Sequence, residues 1–468
     1  MPARPPTTAE SSSSSPEGGS APGLRLLVHA LPLLAVALGL LVLDPLSDHL
    51  PSALALLALG SLALWSAAGR LEVDSGSVRA AVLAGALLLR LPLLPLAPTL
   101  SDDVLRYLWD GRVAAAGRNP YALPPAAAEL APLRDELWRA LPHRQVPTVY
   151  PPLAVAAFSI AARTPWPLPL WKALAAAGDL AACALLLALA RRLGVPAGRT
   201  VWYAWNPLVA LETAGMGHVD ALGVAACLAA VLLVTTRRQP VAAAACAAAG
   251  ALTKLVPLVA LPLWGWAYPS GASRLRFWGT ALALLVLACA PVVAATGGVP
   301  PGLLVYGRTW EFDGPLFEPL WRLLDAVDAA PRAKALLAWV ERRSERWYLF
   351  ERVYPYVYPQ LLAKAVLGVG LLAAVAASRR ERDLVAGTGR LFGRALLLSA
   401  TVYPWYLLWV LPWAALARHP AWLALAALLP LSYLAQEAGV PLFPWLWLAI
   451  WGPFFALLAL GRGRWETR

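Results

Sequence analysis

The sequence is poor in charged residues, which occupy 14% of its 468 positions, whereas 59% are hydrophobic. A soluble globular protein has about a quarter of its residues charged, so the composition excludes that class. The hydrophobic residues fall in runs of about 17–25, the length that an α-helix needs to cross a bilayer. These runs lack the alternation with a period of two that is typical of an outer-membrane β-barrel. The composition therefore predicts an all-α, polytopic transmembrane helical bundle.

Cysteine is also scarce, with four residues in the chain. Each lies alone within an apolar run, and no two have the spacing of a metal site or of a disulfide framework. The pattern indicates small packing residues. They are Cys183, Cys227, Cys246 and Cys289.

Acidic residues are outnumbered by basic ones, which gives a formal net charge of +12. Much of the basic charge lies in short connections between apolar runs, as the positive-inside rule describes. We therefore expect this charge to set the orientation in the membrane, and we expect no nucleic-acid partner. The connections carry Arg70 and Arg79; Arg191, Arg192 and Arg199; Arg237 and Arg238; Arg274 and Arg276; Arg379, Arg380, Arg382 and Arg390; and Arg462, Arg464 and Arg468.

The apolar runs divide the chain into a tail and one transmembrane domain. Residues 1–23 are rich in Ser, Pro, Thr and Gly, which predicts a disordered cytoplasmic tail and not a signal peptide. Residues 24–468 form the transmembrane domain, with about 11–14 spans, and we predict large outer loops at about 99–166 and 297–355. The spans are predicted near residues 24–43, 51–68, 79–97, 168–190, 201–215, 219–236, 241–253, 255–269, 277–296, 357–377, 391–403, 405–417, 421–437 and 445–461.

A short apolar piece at 150–162 decides the predicted topology. If it is a re-entrant or interfacial helix and not a crossing, the basic connections all fall on one side, which is the cytoplasm. Both termini then face the cytoplasm, and both large loops face outward. The prediction is a multi-pass protein of the cell inner (plasma) membrane.

Three acidic residues, Asp102, Asp103 and Asp110, follow the third predicted span. A helix that begins near Ser101 places Asp103, Arg106 and Asp110 on one face. Because adjacent carboxylates repel, such a pair is typical of a site that holds a cation or a proton. It could bind a divalent metal or act as a general base. The alternative is a helix N-terminus that favours acidic residues through its dipole.

Further polar residues fall at the same predicted outer interface. Glu212 ends one short span, and His218 and Asp220 open the next. Lys254 lies alone within an apolar stretch, where an ionisable residue is costly and suggests a function. It predicts a broken helix, with the lysine reaching an outward-facing cavity to meet an anionic group such as a phosphate.

Aromatic residues interrupt the later part of the chain. Tyr403 and Trp405 break an apolar run, and Glu311 and Asp313 lie in an acidic and aromatic segment of the second outer loop. For most of the 22 tryptophans, the interfacial aromatic belt is a sufficient explanation.

Three charged residues lie within predicted spans. Arg90 and Lys172 could snorkel to the interface or face the cavity. Asp179 is near the middle of its span, so we expect it to face the bundle interior.

Taken in order, these motifs resemble the polyprenyl-phosphate-sugar-dependent GT-C glycosyltransferases. Within that superfamily the chain is similar to bacterial polyprenol-phosphate mannosyltransferase-type membrane proteins and, more distantly, to the catalytic subunit of GPI mannosyltransferase I. The resemblance covers roughly residues 80–415. It rests on the ordered set Ser-Asp-Asp, Gly-Arg-Asn-Pro-Tyr, Tyr-Pro-Pro-Leu, the Lys172 to Asp179 helix, Trp-Asn-Pro-Leu, Gly-His-Val-Asp, Thr-Lys-Leu-Val-Pro, Trp-Glu-Phe-Asp and Tyr-Pro-Trp-Tyr.

The resemblance implies inverting transfer of a hexose, mannose first, from a polyprenyl-phosphate-linked donor to a lipid or glycan acceptor at the outer face. Asp102 or Asp103 would be the catalytic base. The GPI relative carries Asp-x-Asp where this chain has Ser101-Asp-Asp, which leaves open the base and a divalent metal, Mg²⁺ or Mn²⁺, on Asp102 and Asp103. A partner subunit is also left open. The implied substrate-binding residues are Arg106, Asp110, Asn119, Tyr121, Glu212, His218, Asp220, Lys254, Glu311, Asp313, Tyr403 and Trp405.

Two other classes of function fit a polytopic chain. A transporter or flippase for a lipid-linked sugar is expected to show inverted repeats and charges near mid-membrane in both halves. The sequence shows no internal repeat, and its acids gather in outer loops. A non-catalytic membrane subunit would not require clustered acids. The sequence therefore favours an enzyme that works at one face.

Overall fold

The computed structural model describes residues 22–67, 72–461 and 465. The predicted tail lies outside these residues, apart from Pro22 and Gly23, which begin the first helix. Arg70, Arg462, Arg464 and Arg468 also lie outside them. Within the described ranges the chain is all-α and contains no β-strand, which confirms the predicted fold class.

Twenty-three α-helices, numbered here in chain order, make up the described fold. Their bounds are α1 Pro22–Val28, α2 Leu31–Val42, α3 Leu50–Ser66, α4 Gly76–Arg90, α5 Asp103–Ala115, α6 Glu136–Ala140, α7 Pro152–Ala162, α8 Pro167–Leu193, α9 Val201–Ala204, α10 Pro207–Ala210, α11 Asp220–Thr236, α12 Pro240–Thr253, α13 Leu261–Trp266, α14 Gly271–Thr296, α15 Pro301–Thr309, α16 Phe317–Ala326, α17 Ala329–Ser344, α18 Pro359–Ser378, α19 Leu384–Leu397, α20 Leu411–Ala417, α21 Pro420–Leu428, α22 Tyr433–Gln436 and α23 Trp447–Ala459.

Six described helices are long and apolar enough to cross a membrane, and each overlaps a span predicted from the sequence. The protein is therefore a multi-pass membrane protein. Five shorter apolar helices accompany them, so the total of about 11–14 crossings stays a prediction. The six are Pro22–Val42, Gly76–Leu93, Pro167–Leu193, Gly271–Thr296, Pro359–Ser378 and Leu442–Ala459.

The helix α8 connects the two ends of the bundle. Its 27 residues extend about 40 Å at 1.5 Å per residue. Near its start, Trp171 packs against Phe158 of α7. After its end, Arg199 pairs with Glu72 at 2.8 Å. The basic connection around Arg199 therefore lies at the end of the bundle remote from α7.

Charges inside the bundle pair with one another. Arg90 Nε lies 2.6 Å from Asp179 Oδ2, and both side chains are buried. Tyr203 and Thr213 also donate to the Asp179 carboxylate, at 2.8 and 2.9 Å. Asp179 thus faces the bundle interior, as predicted. Arg90 was expected to snorkel to the interface or to face the cavity, and both expectations are wrong because its carboxylate partner lies inside the bundle.

Lys172 is also buried, and its ammonium group donates to the backbone carbonyls of Leu93 and Leu96. Those carbonyls lie at and just after the proline-containing C-terminal end of the Gly76–Leu93 helix. The last carbonyl groups of a helix have no N–H partner within the helix. Lys172 therefore neither snorkels nor faces the cavity, contrary to the expectation from sequence.

Two helix breaks place polar residues at one end of the bundle. Between α10 and α11 the chain bends by 117°, and Gly217 adopts a φ of +73° that favours glycine. The second break follows α12, where Lys254 is extended with φ −153° and ψ 143°. Pro257 follows in a 3₁₀ turn and cannot continue the α12 hydrogen-bond ladder. The predicted broken helix at Lys254 is confirmed.

The segment 150–162 forms α7, which has 11 residues. A helix of this length extends about 16 Å and cannot cross about 30 Å of hydrocarbon. It packs along α5, as expected for a helix that does not cross.

The second outer loop is more regular than predicted, because α15, α16 and α17 occupy most of it. Phe317 at the start of α16 is buried against Ala363 and Leu367 of α18. The apolar side chains of α16 lie on one face, and this face covers α18, which gives the loop its helical structure.

Candidate active site

A cavity of about 1000 Å³ lies where the two predicted outer loops meet. Its wall combines the start of α5, the chain after Pro142, the break at Lys254, α15 and the segment 399–406. Segments far apart in sequence therefore share one space. Of the residues predicted for the site, those in the wall are Asp102, Asp103, Arg106, Lys254, Tyr403 and Trp405.

The acidic pair opens α5, as the sequence predicted. Asp102 is the N-cap residue and Asp103 is the first helical residue. Ser101 Oγ accepts a hydrogen bond from the Asp103 backbone N–H at 3.3 Å. One carboxylate oxygen of Asp103 accepts from the Tyr107 hydroxyl at 3.3 Å. Asp103 is therefore oriented by its own helix, while Asp102 is the more exposed of the two.

The position of α5 is fixed by close packing on α7. Tyr107 stacks on Phe158 with a centroid distance of 4.7 Å, and Trp171 meets both rings edge-on. Gly111 lies against the Phe158 carbonyl group, where a Cβ atom would overlap the carbonyl oxygen. This packing fixes the helix that presents the acidic pair.

The surroundings of Asp102 favour its protonated form. Burial raises the pKa of its carboxyl group, and the negative charge of Asp103 raises the pKa further, while His143 opposes these effects. A carboxylate with a raised pKa is a stronger base than an ordinary aspartate. The pair can therefore accept a proton in the cavity.

A positive charge enters the same cavity at the helix break. Lys254 Nζ lies 2.7 and 2.9 Å from the two carboxylate oxygens of Asp220 and 4.4 Å from the ring centre of Tyr406. Asp220 is fully buried and also accepts a hydrogen bond from Trp409 Nε1 at 2.6 Å. Asp220, predicted to bind substrate, thus lies behind the wall and holds the lysine in place.

Arg106 and Asp110 form the predicted pair on one face of α5. Arg106 Nε lies 3.0 Å from Asp110 Oδ1, and its guanidinium also donates to the Val146 carbonyl at 2.6 Å. Asp110 is buried and lies outside the cavity wall. Arg106 lines the cavity and also fastens the 143–146 segment to α5, whereas Asp110 pairs with Arg106 within α5. The role of both residues in binding substrate stays a prediction.

Four aromatic rings stack into one side of the site. Phe312 stacks on Tyr403 and Tyr403 on Trp405, each with a centroid distance of 4.6 Å. Trp405 stacks in turn on His218 at 4.0 Å. Tyr403 and Trp405 reach the cavity and give it a flat apolar surface, whereas His218 is buried behind them.

Two further predicted residues, Glu212 and His218, are fully buried beside the acidic pair. His218 Nδ1 lies 3.0 Å from Glu212 Oε2, and His218 Nε2 lies 3.2 Å from Ser101 Oγ. The Tyr433 hydroxyl donates to Glu212 Oε1 at 2.6 Å. The structure therefore places Glu212 and His218 behind Ser101 and outside the cavity wall, and their role in binding substrate stays a prediction.

Asn119 and Tyr121 lie outside the cavity wall. Asn119 Oδ1 accepts from the Tyr121 backbone N–H at 2.9 Å, which closes the turn after α5. Tyr121 is buried in the aromatic cluster of α5 and α7. The structure thus places both residues outside the wall, with Asn119 in a turn where asparagine is common, and their role in binding substrate stays a prediction.

Glu311 and Asp313 also lie outside the wall. Glu311 pairs with Lys364 at 2.8 Å. Asp313 is fully buried and accepts from Trp451 Nε1 at 2.8 Å. These two acids join the second predicted outer loop to α18 and α23, and their role in binding substrate stays a prediction.

Among the described residues, no group of three or more His, Cys, Asp or Glu side chains has the arrangement of a metal site. Two carboxylates such as Asp102 and Asp103 could hold a hard divalent ion together with oxygens of water or of a substrate. A bound Mg²⁺ or Mn²⁺ on Asp102 and Asp103 stays a prediction.

Several wall residues were missed from the sequence. The hydroxyl groups of Tyr306 and Tyr406 lie 2.7 Å apart, and His143 and Glu437 also line the cavity. Tyr406 belongs to the Tyr-Pro-Trp-Tyr motif and could have been found there. His143 and Glu437 belong to no motif that sequence analysis singled out.

Comparison with known proteins gives one family. The model of the MptA_B family, described as alpha-(1->6)-mannopyranosyltransferase, N-terminal domain, matches residues 24–270. The match covers more than half of the chain and includes the acidic pair and Lys254. No curated protein and no solved structure matches the chain.

Proposed function

This chain belongs to the MptA_B family of alpha-(1->6)-mannopyranosyltransferases, and on that premise we propose the reaction of this membrane mannosyltransferase. It transfers mannose from a polyprenyl-phosphate-linked donor to a hydroxyl of a lipid or glycan acceptor, as a GT-C enzyme working at the extracytoplasmic face. The observation that carries the proposal is that the carboxylates of Asp102 and Asp103 and the ammonium group of Lys254 face one cavity.

The proposed step is a single inverting displacement. The acceptor oxygen attacks the anomeric carbon, the bond from that carbon to the phosphate oxygen breaks, and the phosphate leaves with the electron pair. An α product formed with inversion requires a β-linked donor. Asp102 takes the acceptor proton, a role that its raised pKa and its exposure within the cavity support.

Asp103 assists without being the base. Its carboxylate is held by the Tyr107 hydroxyl, and its charge contributes to the raised pKa of Asp102. This assignment gives the two adjacent carboxylates different roles, which their different environments support.

Lys254 stabilises the phosphate that leaves. Its position is fixed by Asp220 and by the face of Tyr406, so little reorganisation is needed as negative charge develops. Leu255, Val256 and Leu303 continue the wall beside it, and this apolar surface suits the hydrocarbon chain of a lipid donor.

The arrangement of the loops supports the outer face. Both outer loops contribute to the cavity, whereas the connection around Arg199 lies at the remote end of α8. The positive-inside rule assigns the basic end to the cytoplasm.

The test uses purified protein in lipid nanodiscs with radiolabelled polyprenyl-phosphate mannose and a membrane lipid and glycan extract. Label is expected to move to an acceptor with the wild type, and the rate is expected to fall by about 10²–10⁴-fold in Asp102→Asn. The matched control is Asp135→Asn. Asp135 lies in the same loop and forms a half-exposed surface ion pair with Arg112.

Two results contradict the proposal. Full transfer activity in a folded Asp102→Asn variant contradicts the role of Asp102 as the catalytic base. Absence of transfer from any polyprenyl-phosphate hexose, together with movement of the labelled lipid across vesicle membranes, establishes a flippase instead.

A further inference from the structure

Two tyrosine hydroxyl groups meet in the cavity wall. Tyr306 Oη and Tyr406 Oη lie 2.7 Å apart, and both residues line the cavity. Tyr306 belongs to α15, whereas Tyr406 ends the Tyr-Pro-Trp-Tyr motif, so the pair joins two segments that are 100 positions apart. The reaction step proposed above does not use either hydroxyl group.

One hydrogen of this pair is available to a ligand. Each phenol carries one hydrogen, and burial raises the pKa of Tyr306 to about 12, which keeps that hydrogen in place at neutral pH. In the described part of the chain, the two hydroxyls form their hydrogen bond with each other, which uses one of the two hydrogens. The hydroxyl of Thr401 is also close to Tyr306, but it donates to the Trp310 carbonyl at 2.9 Å.

Lys254 lies beside the tyrosine pair. Its ammonium nitrogen is 4.4 Å from the ring centre of Tyr406, and 17% of its side chain is exposed. An anion that approaches the lysine therefore comes next to the tyrosine hydroxyls. A hydroxyl donor and an ammonium group together suit a phosphate, which offers several oxygens as hydrogen-bond acceptors.

Apolar side chains continue the wall from these donors. Leu303, Tyr306 and Trp310 all line the cavity, and their spacing of three and four residues places them along one side of α15. Leu255 and Val256 directly follow the lysine in the same wall. The phosphate donors are thus flanked by apolar surface, which fits a phosphate joined to a hydrocarbon chain better than a free phosphate ion.

We propose that the Tyr306–Tyr406 pair donates one hydrogen bond to a phosphate oxygen of the lipid-linked donor, beside Lys254. The inference rests on the proposed function, because it assigns the pair to the donor of that reaction. The hydroxyl keeps its proton, and the lipid phosphate leaves as an anion. The hydrogen bond strengthens as negative charge develops on the phosphate, so it assists the departure of the leaving group.

The experiment measures the binding of farnesyl phosphate and of farnesol to the full-length protein in detergent, by isothermal titration calorimetry. The double variant Tyr306→Phe/Tyr406→Phe removes both hydroxyls and keeps both rings, including the Tyr406 ring that faces Lys254. Its Kd for farnesyl phosphate is expected to rise about 10–100-fold, as for loss of a hydrogen bond to a charged group. Its Kd for farnesol is expected to stay unchanged.

Thr401→Val is the matched control. It removes a hydroxyl that is close to Tyr306 but belongs to a residue outside the cavity wall. Both Kd values of this variant are expected to equal those of the wild type.

The single variants test whether the two hydroxyls act as one unit. In Tyr306→Phe or in Tyr406→Phe, the hydroxyl that remains keeps a hydrogen and has lost its tyrosine partner, so it can still donate to the phosphate. Each single loss of affinity is therefore expected to be small, and the loss in the double variant is expected to exceed the sum of the two. Losses that simply add would assign two independent hydrogen bonds and contradict the shared one.

Inorganic phosphate identifies the source of the anion. It is expected to bind much more weakly than farnesyl phosphate, because it has no chain to contact Leu255, Val256 and Leu303. Inorganic phosphate that binds as tightly as farnesyl phosphate would overturn the assignment to a lipid.

Transfer kinetics in nanodiscs separate this inference from the proposed function. The double variant is expected to lower kcat/KM for the donor by about 10–100-fold, with KM for the acceptor unchanged. A wild type that shows the expected binding but transfers no mannose contradicts the proposed function alone. An active wild type whose double variant keeps its kcat/KM and its Kd for farnesyl phosphate overturns the role of the pair. Equal losses of affinity for farnesyl phosphate and farnesol also overturn it, because they indicate a purely structural contact.

Discussion

At the scale of single residues, the buried ion pairs of this protein differ in whether a ligand can reach them. Arg90 and Asp179 are paired inside the bundle, with both side chains almost fully buried. Lys254 and Asp220 are paired at the cavity, where the lysine keeps 17% of its side chain exposed. The partners of the first pair all lie inside the bundle, whereas the exposed part of Lys254 remains available to a ligand.

A change in the acidic pair is expected to move the pH profile of transfer. The base must be deprotonated, so the rate falls as pH decreases through the pKa of Asp102, which is raised by burial and by the charge of Asp103. Asp103→Asn removes that charge and therefore shifts the acidic limb of the profile to lower pH. The measurement is kcat/KM between about pH 4 and 8, a range that brackets the titration of a carboxyl with a raised pKa. An acidic limb that disappears in Asp103→Asn, and persists in Asp102→Asn, would make Asp103 the base.

Loss of one member of the interior pair is expected to destabilise the protein. Asp179→Asn leaves the Arg90 guanidinium buried without its carboxylate, which costs about 3–5 kcal/mol. Unfolding in detergent, followed by circular dichroism with increasing denaturant, measures the change. Asp74→Asn, which breaks the exposed Arg79–Asp74 pair, is expected to cost at most about 1 kcal/mol. Equal losses in the two variants would contradict this account of the bundle.

At the scale of elements, the contact between α5 and α7 determines where the acidic pair lies. Helix α5 lies in a predicted loop and not among the long apolar helices. It is held by the stacking of Tyr107 on Phe158 and by the close contact of Gly111 with the Phe158 carbonyl group. The sequence predicted this helix from its polar spacing. It did not reveal the packing, because α5 and α7 are separated by a long irregular segment.

Gly111→Ala is expected to impair transfer through this contact. The added methyl group overlaps the Phe158 carbonyl oxygen, so α5 must move away from α7 at a cost of about 1–3 kcal/mol, and kcat falls as Asp102 is displaced. Gly279→Ala in α14 is the control, since a Cβ atom there meets open space. Thermal unfolding and kcat together test the prediction, which is wrong if Gly111→Ala and Gly279→Ala behave alike.

At the scale of the whole molecule, the two predicted outer loops line one cavity. Residues of the first loop and of α15 in the second line the same cavity, so the loops lie at the same end of the bundle. The basic connections predict that this end faces outward, because translocation of Lys and Arg is disfavoured.

Cysteine labelling in intact cells tests the orientation. Ser344→Cys in the second outer loop is expected to react with a membrane-impermeant maleimide added outside, whereas Gln239→Cys beside Arg237 and Arg238 reacts only after permeabilisation. Both positions are exposed. The unsubstituted chain controls for its native cysteines. The opposite pattern would place the cavity on the cytoplasmic side.

The sequence by itself determined the membrane class, the overlap of predicted spans with the long helices, the start of α5 and the break at Lys254. These depend on local composition, on apolar length and on the chemistry of neighbouring residues, all of which are readable along the chain.

Only the tertiary structure decided which predicted polar residues face the cavity. Ser101 meets His218 across 117 positions, and Glu212 meets Tyr433 across 221. Motif spacing brought Glu311 and Asp313 into the prediction, but each is engaged by another helix. The physical reason is that a buried polar side chain must find a partner, and whether that partner is a distant helix or a substrate depends on packing that no local pattern specifies.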